Sequence, residues 1–363
     1  MPDIKSLLPA IDAWTASSLL QKAVRRGETE YAQAAAINFH KLRGNAIWRR
    51  LTLIAYEDIG IGDLPLCGDI ARYAIDRNVR RQAGTDGEII LELTKQMSTA
   101  PKNRETDYLI CTAKQATFTE GLRASVAGRS IAQMVETATD PRTPLLERAT
   151  AAWMASGING GGPRVLSKGD LPSLMRALEE IGLPPGVSTA IEGASEKTLE
   201  PIVVMVALLW VAIRETREAP MILREPAPRS VLCGGLPSYT FDKHTRLGKQ
   251  AIRQLLRESS VVRDCIADFV PEYKAIEVAS MAAFYADAIA LNHRITWTKS
   301  DALFALGRKT DMTKIGTPDP GVEAITNIVL ANLDHLNEIR RRLREAPKSY
   351  NGLTGTVALR DEA

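Results

Sequence analysis

The segment 241–249 brings together side chains that could act on a phosphodiester. Asp242, His244 and Arg246 place a carboxylate, an imidazole and a guanidinium close together in the chain. Such groups can serve general acid–base chemistry, so these three are the candidate catalytic residues. The competing interpretation is a histidine at a helix start that bonds to the backbone. It is favoured because no matched carboxylate cluster or metal-ligand pattern accompanies His244.

Cations recur at helical spacing directly after this histidine. At 100° per residue, four of them fall within about 80° of one another: Arg246, Lys249, Arg253 and Arg257. Leu247, Ala251 and Leu255 occupy the opposite face, which predicts an amphipathic helix. Together with Lys243, the four cations could follow the phosphate backbone of a nucleic acid. They could also form a solvated face that pairs with acidic neighbours.

Three long helices are predicted in the last third of the chain, and the first must carry these cations. They cover residues 240–258, 271–292 and 320–345. Asp242 or Thr240 is expected to cap the first. A proline-rich stretch at 219–238 is expected to lie as a loop over the surface. The first third of the chain is predicted to form several short amphipathic helices. In it, Thr85 and Glu88 have the spacing of a capping box and should open a helix.

The composition predicts an all-α fold. Of the 363 residues, 45% are hydrophobic and only 5% are aromatic, and alanine and leucine are abundant. This favours helix packing over sandwiches or barrels. The flexible sequence GINGGGP at 157–163 predicts a boundary between a domain over 1–156 and a second helical domain over 157–363. The net charge of +3 argues neither for nor against a nucleic-acid partner.

Nucleotide and metal chemistry are not expected. No phosphate loop of the type G-x-x-x-x-G-K-[ST] occurs, so the protein should neither bind nor hydrolyse ATP. The glycine-rich loop is followed by Pro163 and Arg164, which supply no lysine and hydroxyl for phosphate and magnesium. The four cysteines fit no zinc or disulfide spacing: Cys67, Cys111, Cys233 and Cys265. No metal and no cofactor are predicted.

A cytoplasmic location without a membrane partner is expected. The start of the chain lacks the basic and apolar pattern of a signal peptide. The most apolar stretch, residues 202–213, is too short to span a bilayer and is predicted to form a buried helix. Four scattered cysteines are typical of reduced residues in a cytosolic protein.

Two motifs in the first third resemble a known family. The first is IAYEDIGIGD at 54–63, preceded by WRRL at 48–51, and the second is MSTAPKN at 97–103, followed by Tyr108. They are similar to the helix ending in SEDIG and the downstream SPKSN…Y turn of the RarA family, also called MgsA or Werner-helicase-interacting ATPases. The resemblance covers residues 19–115. It implies a structural role for Trp48, Glu57, Asp58, Gly60, Pro101, Lys102, Asn103 and Tyr108.

In that family, these motifs lie in a helical region after the ATPase core. The region resembles the clamp-loader collar and holds the subunits of an oligomer together. The resemblance therefore implies a collar-like domain over 1–156, a homo-oligomer and a setting in replication or repair. It does not extend to ATP hydrolysis, because the chain has no phosphate loop.

The carboxylates of the first motif require partners. Glu57 and Asp58 are predicted at a helix C-terminus, where negative charge is unfavourable. Arg49, Arg50 or a basic residue on a neighbouring helix is the expected partner. A ligand or metal role for the two carboxylates is the alternative.

Three functions are consistent with the sequence. The leading hypothesis is a non-enzymatic accessory protein of DNA replication, recombination or repair, which self-associates and contacts DNA or a DNA-bound protein. The second is a nucleic-acid-processing enzyme centred on Asp242, His244 and Arg246. A pocket joining these residues to Glu57 or Asp58 would favour it. The third is a protein-binding scaffold for a separate ATPase.

Overall fold

The computed structural model describes residues 7–158 and 169–346. Across these residues the chain is 74% helical, with nineteen α-helices and almost no strand. The expected all-α multi-helix bundle is confirmed. Most of the helices bury an apolar stripe against their neighbours, which is the packing that an alanine- and leucine-rich sequence favours.

Seven α-helices form the first third. They are α1 (Ala13–Arg26), α2 (Thr29–Arg43), α3 (Ala46–Ile54), α4 (Leu64–Ile75), α5 (Arg77–Ala83), α6 (Asp86–Thr99) and α7 (Glu105–Gln115). The Asp12 carboxylate accepts a hydrogen bond from the Thr15 amide at 2.8 Å and caps α1. Thr85 and Glu88 form the predicted capping box at the start of α6.

The chain between α3 and α4 leaves the regular α-helix. It winds as a π-helical turn, Ala55–Ile59, and a 3-10 turn, Gly60–Gly62. Gly60 has φ +48°, which favours glycine because it carries no Cβ. A Cβ on Gly62 would lie 2.2 Å from the carbonyl oxygen of Pro101. The π-helical turn, a feature frequent at functional sites, carries Glu57 and Asp58.

Six α-helices form the middle of the chain. They are α8 (Glu120–Ala127), α9 (Ile131–Thr139), α10 (Leu145–Ser156), α11 (Leu171–Glu180), α12 (Pro185–Thr198) and α13 (Ile202–Thr216). Residues 203–209 of α13 are completely buried, as the apolar sequence of this helix predicts. Among the described residues, no helix combines the length and apolarity needed to cross a bilayer.

Six further α-helices form the last third, and their boundaries correct the predicted ones. They are α14 (Arg246–Glu258), α15 (Ser260–Ala267), α16 (Glu272–Ala283), α17 (Ser300–Lys314), α18 (Asp319–Ala331) and α19 (Leu333–Glu345). The helix predicted over 320–345 is divided at Asn332, whose side-chain amide donates to the Ile328 carbonyl at 2.8 Å. The helix predicted over 271–292 ends earlier, after a π-helical turn over Phe284–Ala288.

Four very short strands lie in the irregular segments. They are β1 (Met221–Leu223), β2 (Leu232–Cys233), β3 (Leu236–Pro237) and β4 (Arg294–Thr296). β1 pairs with β4 in antiparallel register, with Ile222 opposite Ile295. β2 and β3 form a small hairpin through Gly234 and Gly235, which both have positive φ. The stretch at 219–238, predicted as a surface loop, therefore contains three short strands that pair with each other or with β4.

The apolar residues form two separate core clusters in the described chain. The larger cluster consists mainly of buried apolar side chains from helices α1 to α13, and Leu236 and Tyr239 also belong to it. The smaller cluster joins α14, α15, α16, α18 and α19. Most of the predicted boundary loop, residues 159–163, lies outside the described residues. The division into 1–156 and 157–363 stays a prediction.

Candidate nucleic-acid interface

Thr245 fixes the start of α14. Its hydroxyl accepts a hydrogen bond from the Gly248 amide at 3.1 Å, as an N-cap residue does. The prediction that Asp242 or Thr240 caps the helix is wrong, because both lie too far upstream. Asp242 instead accepts from the backbone amide of His244 at 3.0 Å, which makes a turn before the helix.

The apolar side of α14 is buried against α15, α16 and α19. Ala251 and Leu255 are completely buried, and Ile252 is almost so. Packing of this side turns the opposite side toward solvent, because residues three and four apart share one face of a helix. The amphipathic helix predicted from the sequence is present, although it begins at Arg246.

The outer side of α14 carries a continuous row of cations, here called the cationic ridge. It consists of Arg246, Lys249, Arg253 and Arg257, all of which are exposed. Within the part of the chain that the structure describes, none of the four makes an ion pair or a side-chain hydrogen bond. The ridge is about 16 Å long at 1.5 Å per residue. It is therefore a concentrated positive surface without an acidic counterpart.

Helix stability does not account for this arrangement. Arg246 lies in the first turn, where a cation opposes the helix dipole by about 0.3–1 kcal/mol. Glu258 at the far end of α14 is already engaged, since it accepts from Arg342 at 2.6 Å and contacts His335 at 2.9 Å. The alternative interpretation was a solvated face whose cations pair with acidic neighbours. Among the described residues, no acidic side chain pairs with the ridge.

Many basic residues elsewhere in the sequence form ion pairs, some buried and some at the surface. Among these pairs are Lys22–Asp242, Arg25–Asp58, Arg26–Asp287, Arg340–Asp287, Arg341–Glu338 and Arg342–Glu258. Lys243 also turns away from the ridge. Its ammonium lies 4.2 Å from the centre of the Phe284 ring, and burial lowers its pKa. The ridge differs from these ion-paired residues because its four cations are exposed and make no ion pair among the described residues.

A pocket of about 290 Å³ lies close to the N-terminal end of α14. Its lining includes Asp242 and His244 and also Glu57 from the π-helical turn. Arg246 does not line it. The structure therefore joins two of the three candidate catalytic residues to a carboxylate of the first motif and leaves the third on the ridge.

Asp242 is held as a buried carboxylate. Its side chain is almost fully buried and lies 2.9 Å from the Lys22 ammonium. Burial opposes ionisation, but the charges of Lys22 and His244 override it and lower the pKa of Asp242. Burial also lowers the pKa of Lys22. The carboxylate is thus committed to an ion pair within the pocket.

His244 is the more accessible titratable group of the pocket. Its ring contacts Phe284 edge to face at 6.0 Å between ring centres. Partial desolvation, aided by Lys243 and Lys22, lowers the pKa of His244 despite the opposing effect of Asp242. The imidazole is therefore mainly neutral at neutral pH, which is the form that accepts a proton.

Behind the pocket lies a buried ionic network around Asp58. This carboxylate accepts hydrogen bonds from Arg25 at 2.7 Å, Arg104 at 2.6 Å and Gln21 at 2.8 Å. Glu57 accepts from the same two arginines at 2.9 and 2.7 Å. Burial raises the pKa of Glu57, but Arg104 and Arg25 outweigh it and hold the value at about 2.

The network corrects the predicted partners of the two carboxylates. Neither Arg49 nor Arg50 pairs with them. Arg49 binds Glu200 at 3.1 Å, and Arg50 donates to Gln21 at 2.5 Å. The expected basic residue on a neighbouring helix is Arg25 of α1. The role of Arg104 was missed, although it directly follows the second motif.

The two family-like motifs are in direct contact. The Asn103 amide donates to the Asp58 carbonyl at 2.9 Å, and Pro101 lies against Gly62. Lys102 is fully buried and donates to the carbonyls of Ser98 and Ala100, and burial lowers its pKa to about 7. These motif residues therefore make their contacts inside the fold.

The aromatic motif residues also lie inside the fold. Trp48 is completely buried, with the Arg80 guanidinium 4.7 Å from the centre of its ring. Tyr108 packs edge to face on Phe304 at 5.7 Å. Among the residues with described positions, no three histidine, cysteine, aspartate or glutamate side chains converge as metal ligands would.

Comparison with protein-family models, with curated proteins and with solved structures found no match.

Proposed function

We propose that this protein is a non-enzymatic accessory factor that contacts DNA through the cationic ridge of α14. One observation carries the proposal: four exposed cations form a row that has no acidic partner in the described chain. A phosphate backbone supplies the missing negative charge at regular spacing. Contacts of arginine and lysine with phosphates carry no sequence information, so binding through the ridge should be largely independent of DNA sequence.

The setting in replication, recombination or repair rests on the RarA-like motifs. The hydrogen bond between Asn103 and Asp58 supports the view that the two motifs form one unit. By the same resemblance, this unit would hold a homo-oligomer together. Several copies would bring several ridges to one DNA molecule, which raises the overall affinity without any new contact.

Salt dependence tests the ridge directly. Binding of a labelled random-sequence duplex, measured by fluorescence anisotropy, should weaken as salt rises. Four phosphate contacts predict a log–log slope of about −3 to −4. Replacing Arg253 and Arg257 with Gln should reduce the magnitude of the slope by about 1.4 to 1.8. Glutamine keeps a helix propensity close to that of arginine, so α14 should remain folded.

A matched control separates the ridge from total charge. The double variant Arg142→Gln and Arg341→Gln removes the same two charges, but at exposed sites that pair with Asp140 and Glu338. Its slope should equal that of the parent. If the ridge variant keeps the parental slope with an unchanged circular dichroism spectrum, or if the parent does not bind DNA at low salt, the proposal is wrong.

A second candidate function is a nucleic-acid-processing enzyme, and the pocket favours it. The pocket joins Glu57 to Asp242 and His244. Both carboxylates are already committed to ion pairs, so His244 is the group left to accept a proton. Cleavage of a labelled strand by the parent, lost in His244→Ala while DNA binding persists, would establish this function. Absence of cleavage in both would favour the accessory role.

A further inference from the structure

Strand β1 lies in an exposed segment between α13 and the hairpin of β2 and β3. All ten residues from 217 to 226 are exposed. Three consecutive apolar residues stand at the centre of this segment, Met221, Ile222 and Leu223, with exposed fractions of 66%, 55% and 38%. Soluble proteins rarely expose such a run of apolar side chains without a function. The strand is therefore a candidate interaction surface.

The outer edge of β1 is open. On the far side of β4, the Ile295 amide donates to the Lys102 carbonyl at 2.9 Å. Because backbone groups alternate in direction along a strand, the two neighbours of Ile295 are the residues that hydrogen-bond β1. They lie opposite Met221 and Leu223. The amide and carbonyl of Ile222 therefore point away from β4, and neither has a hydrogen-bond partner among the described residues.

The apolar part of β1 carries no charge that would protect this edge. Natural edge strands are often blunted by charged side chains or by proline. Here the charges stand outside the three apolar residues, at Glu218 before them and Arg224 after them. Pro220 directly precedes the strand and has no amide hydrogen to donate. A second strand can thus pair with β1, but only in a register that does not require this donor.

The segment is complementary to itself in such a register. If two copies pair antiparallel about a twofold axis at Ile222, Met221 of each copy lies opposite Leu223 of the other. The two Ile222 residues then exchange both backbone hydrogen bonds, and each Arg224 amide can donate to the Pro220 carbonyl of the other copy. Apolar side chains face apolar side chains, which is the pairing that stabilises a sheet.

Other registers fit less well. A shift of one residue is excluded, because the backbone groups on either side of Ile222 face β4. A shift of two residues places Ile222 opposite either Arg224 or Pro220, which loses an apolar pair or a donor. The register about Ile222 also sets Arg224 diagonally across from Glu218 of the second copy, within reach of long side chains. Arg224 makes no ion pair within the described chain, so this contact complements its charge.

We infer that β1 is an interface between two copies of this chain, which pair antiparallel about Ile222 and join their two-stranded sheets into one. The inference goes beyond DNA contact at α14, because no residue of the ridge lies in β1. It also differs from the collar-like contact, since β1 contains no residue of the RarA-like motifs. Small interfaces belong to transient complexes, so we expect a dissociation constant of about 10 µM to 1 mM.

Disulfide crosslinking tests the register. In Ile222→Cys the two introduced thiols lie at the twofold axis, where Cα atoms about 5.5 Å apart allow a disulfide. Mild oxidation of the full chain at about 100 µM should therefore yield a covalent dimer. Arg224→Cys is the matched control, because its two thiols are four residue steps apart, about 13 Å, and should not crosslink. The parent gives the background of the native cysteines.

Sedimentation equilibrium tests the contact without a new thiol. Ile222→Lys places like charges opposite each other and should weaken the association at least tenfold. Val261→Lys, at an apolar residue of α15 that is 59% exposed, should change it less than twofold. Both positions are exposed, so both variants should keep the parental circular dichroism spectrum.

Two results would overturn the inference. One is crosslinking of Ile222→Cys no greater than that of Arg224→Cys. The other is equal association of Ile222→Lys and Val261→Lys. Either result would leave an extended segment of another protein as the occupant of the edge. The salt dependence of DNA binding tests the ridge separately, because Arg253 and Arg257 lie on α14 and take no part in this contact.

Discussion

The buried network around Asp58 should be a major stabilising feature of the fold. Asp58→Asn preserves the volume of the side chain and removes its charge. In the parent, the carboxylate accepts three hydrogen bonds, two of them from Arg25 and Arg104. An asparagine offers one oxygen and one NH2 group, so the NH2 group must face at least one donor. The substitution therefore breaks contacts and cannot create equivalent ones.

The expected loss follows from the burial of the network. Removing one partner of a buried ion pair costs about 3–5 kcal/mol, because the opposite charge remains buried. Glu57 also accepts from both arginines and compensates in part. We therefore expect Asp58→Asn to lower the free energy of unfolding by about 3 kcal/mol, the lower end of that range.

Urea unfolding followed by far-ultraviolet circular dichroism measures this loss. The denaturation midpoint should fall with little change in the slope m, because the surface exposed on unfolding is similar. Glu338→Gln is the matched control, since it removes a carboxylate that pairs with Arg341 at the surface. Its midpoint should stay at the parental value. If the unfolding free energy of Asp58→Asn lies within about 1 kcal/mol of the parent, the network does not stabilise as argued.

Three further results are expected. The pKa of Glu57 is about 2 in the folded state against an ordinary 4.5, so its contribution of about 3 kcal/mol to the free energy of unfolding is present above pH 4.5 and lost as the pH falls toward 2. The unfolding free energy of Glu57→Gln should therefore fall less steeply than that of the parent between pH 4.5 and 2. Parallel curves for the two proteins would contradict this. Thr245→Ala should lower the free energy of unfolding in urea by about 1 kcal/mol, because α14 loses its N-cap. Thr245→Ser keeps the hydroxyl and should retain most of the parental stability. A parental denaturation midpoint for Thr245→Ala would count against the cap. Light scattering at roughly tens of micromolar should show a homo-oligomer, and a monomer there would argue against the collar analogy.

Local features of the fold could be predicted where nearest neighbours decide them. The capping box of Thr85 and Glu88 depends on two residues three positions apart, and it forms as expected. The division at Asn332 was missed, because an apolar pattern continues across it from α18 into α19.

The all-helical architecture and the amphipathic, cationic α14 are evident from the amino-acid sequence. Both depend on the spacing of residues along one helix, which the 3.6-residue period fixes without reference to distant parts of the chain. The requirement of Glu57 and Asp58 for cationic partners was also evident, because charge at a helix end has a local electrostatic cost.

Which charges are neutralised and which remain available depends on the packing of distant helices against one another. Arg25 and Arg253 look alike in the sequence, yet one is buried against Asp58 and the other is exposed without a partner. The pocket that joins Glu57 to His244 is likewise invisible to any periodic pattern. Ion pairs and cavities between distant segments depend on how helices pack, and helix spacing alone carries no information about that packing.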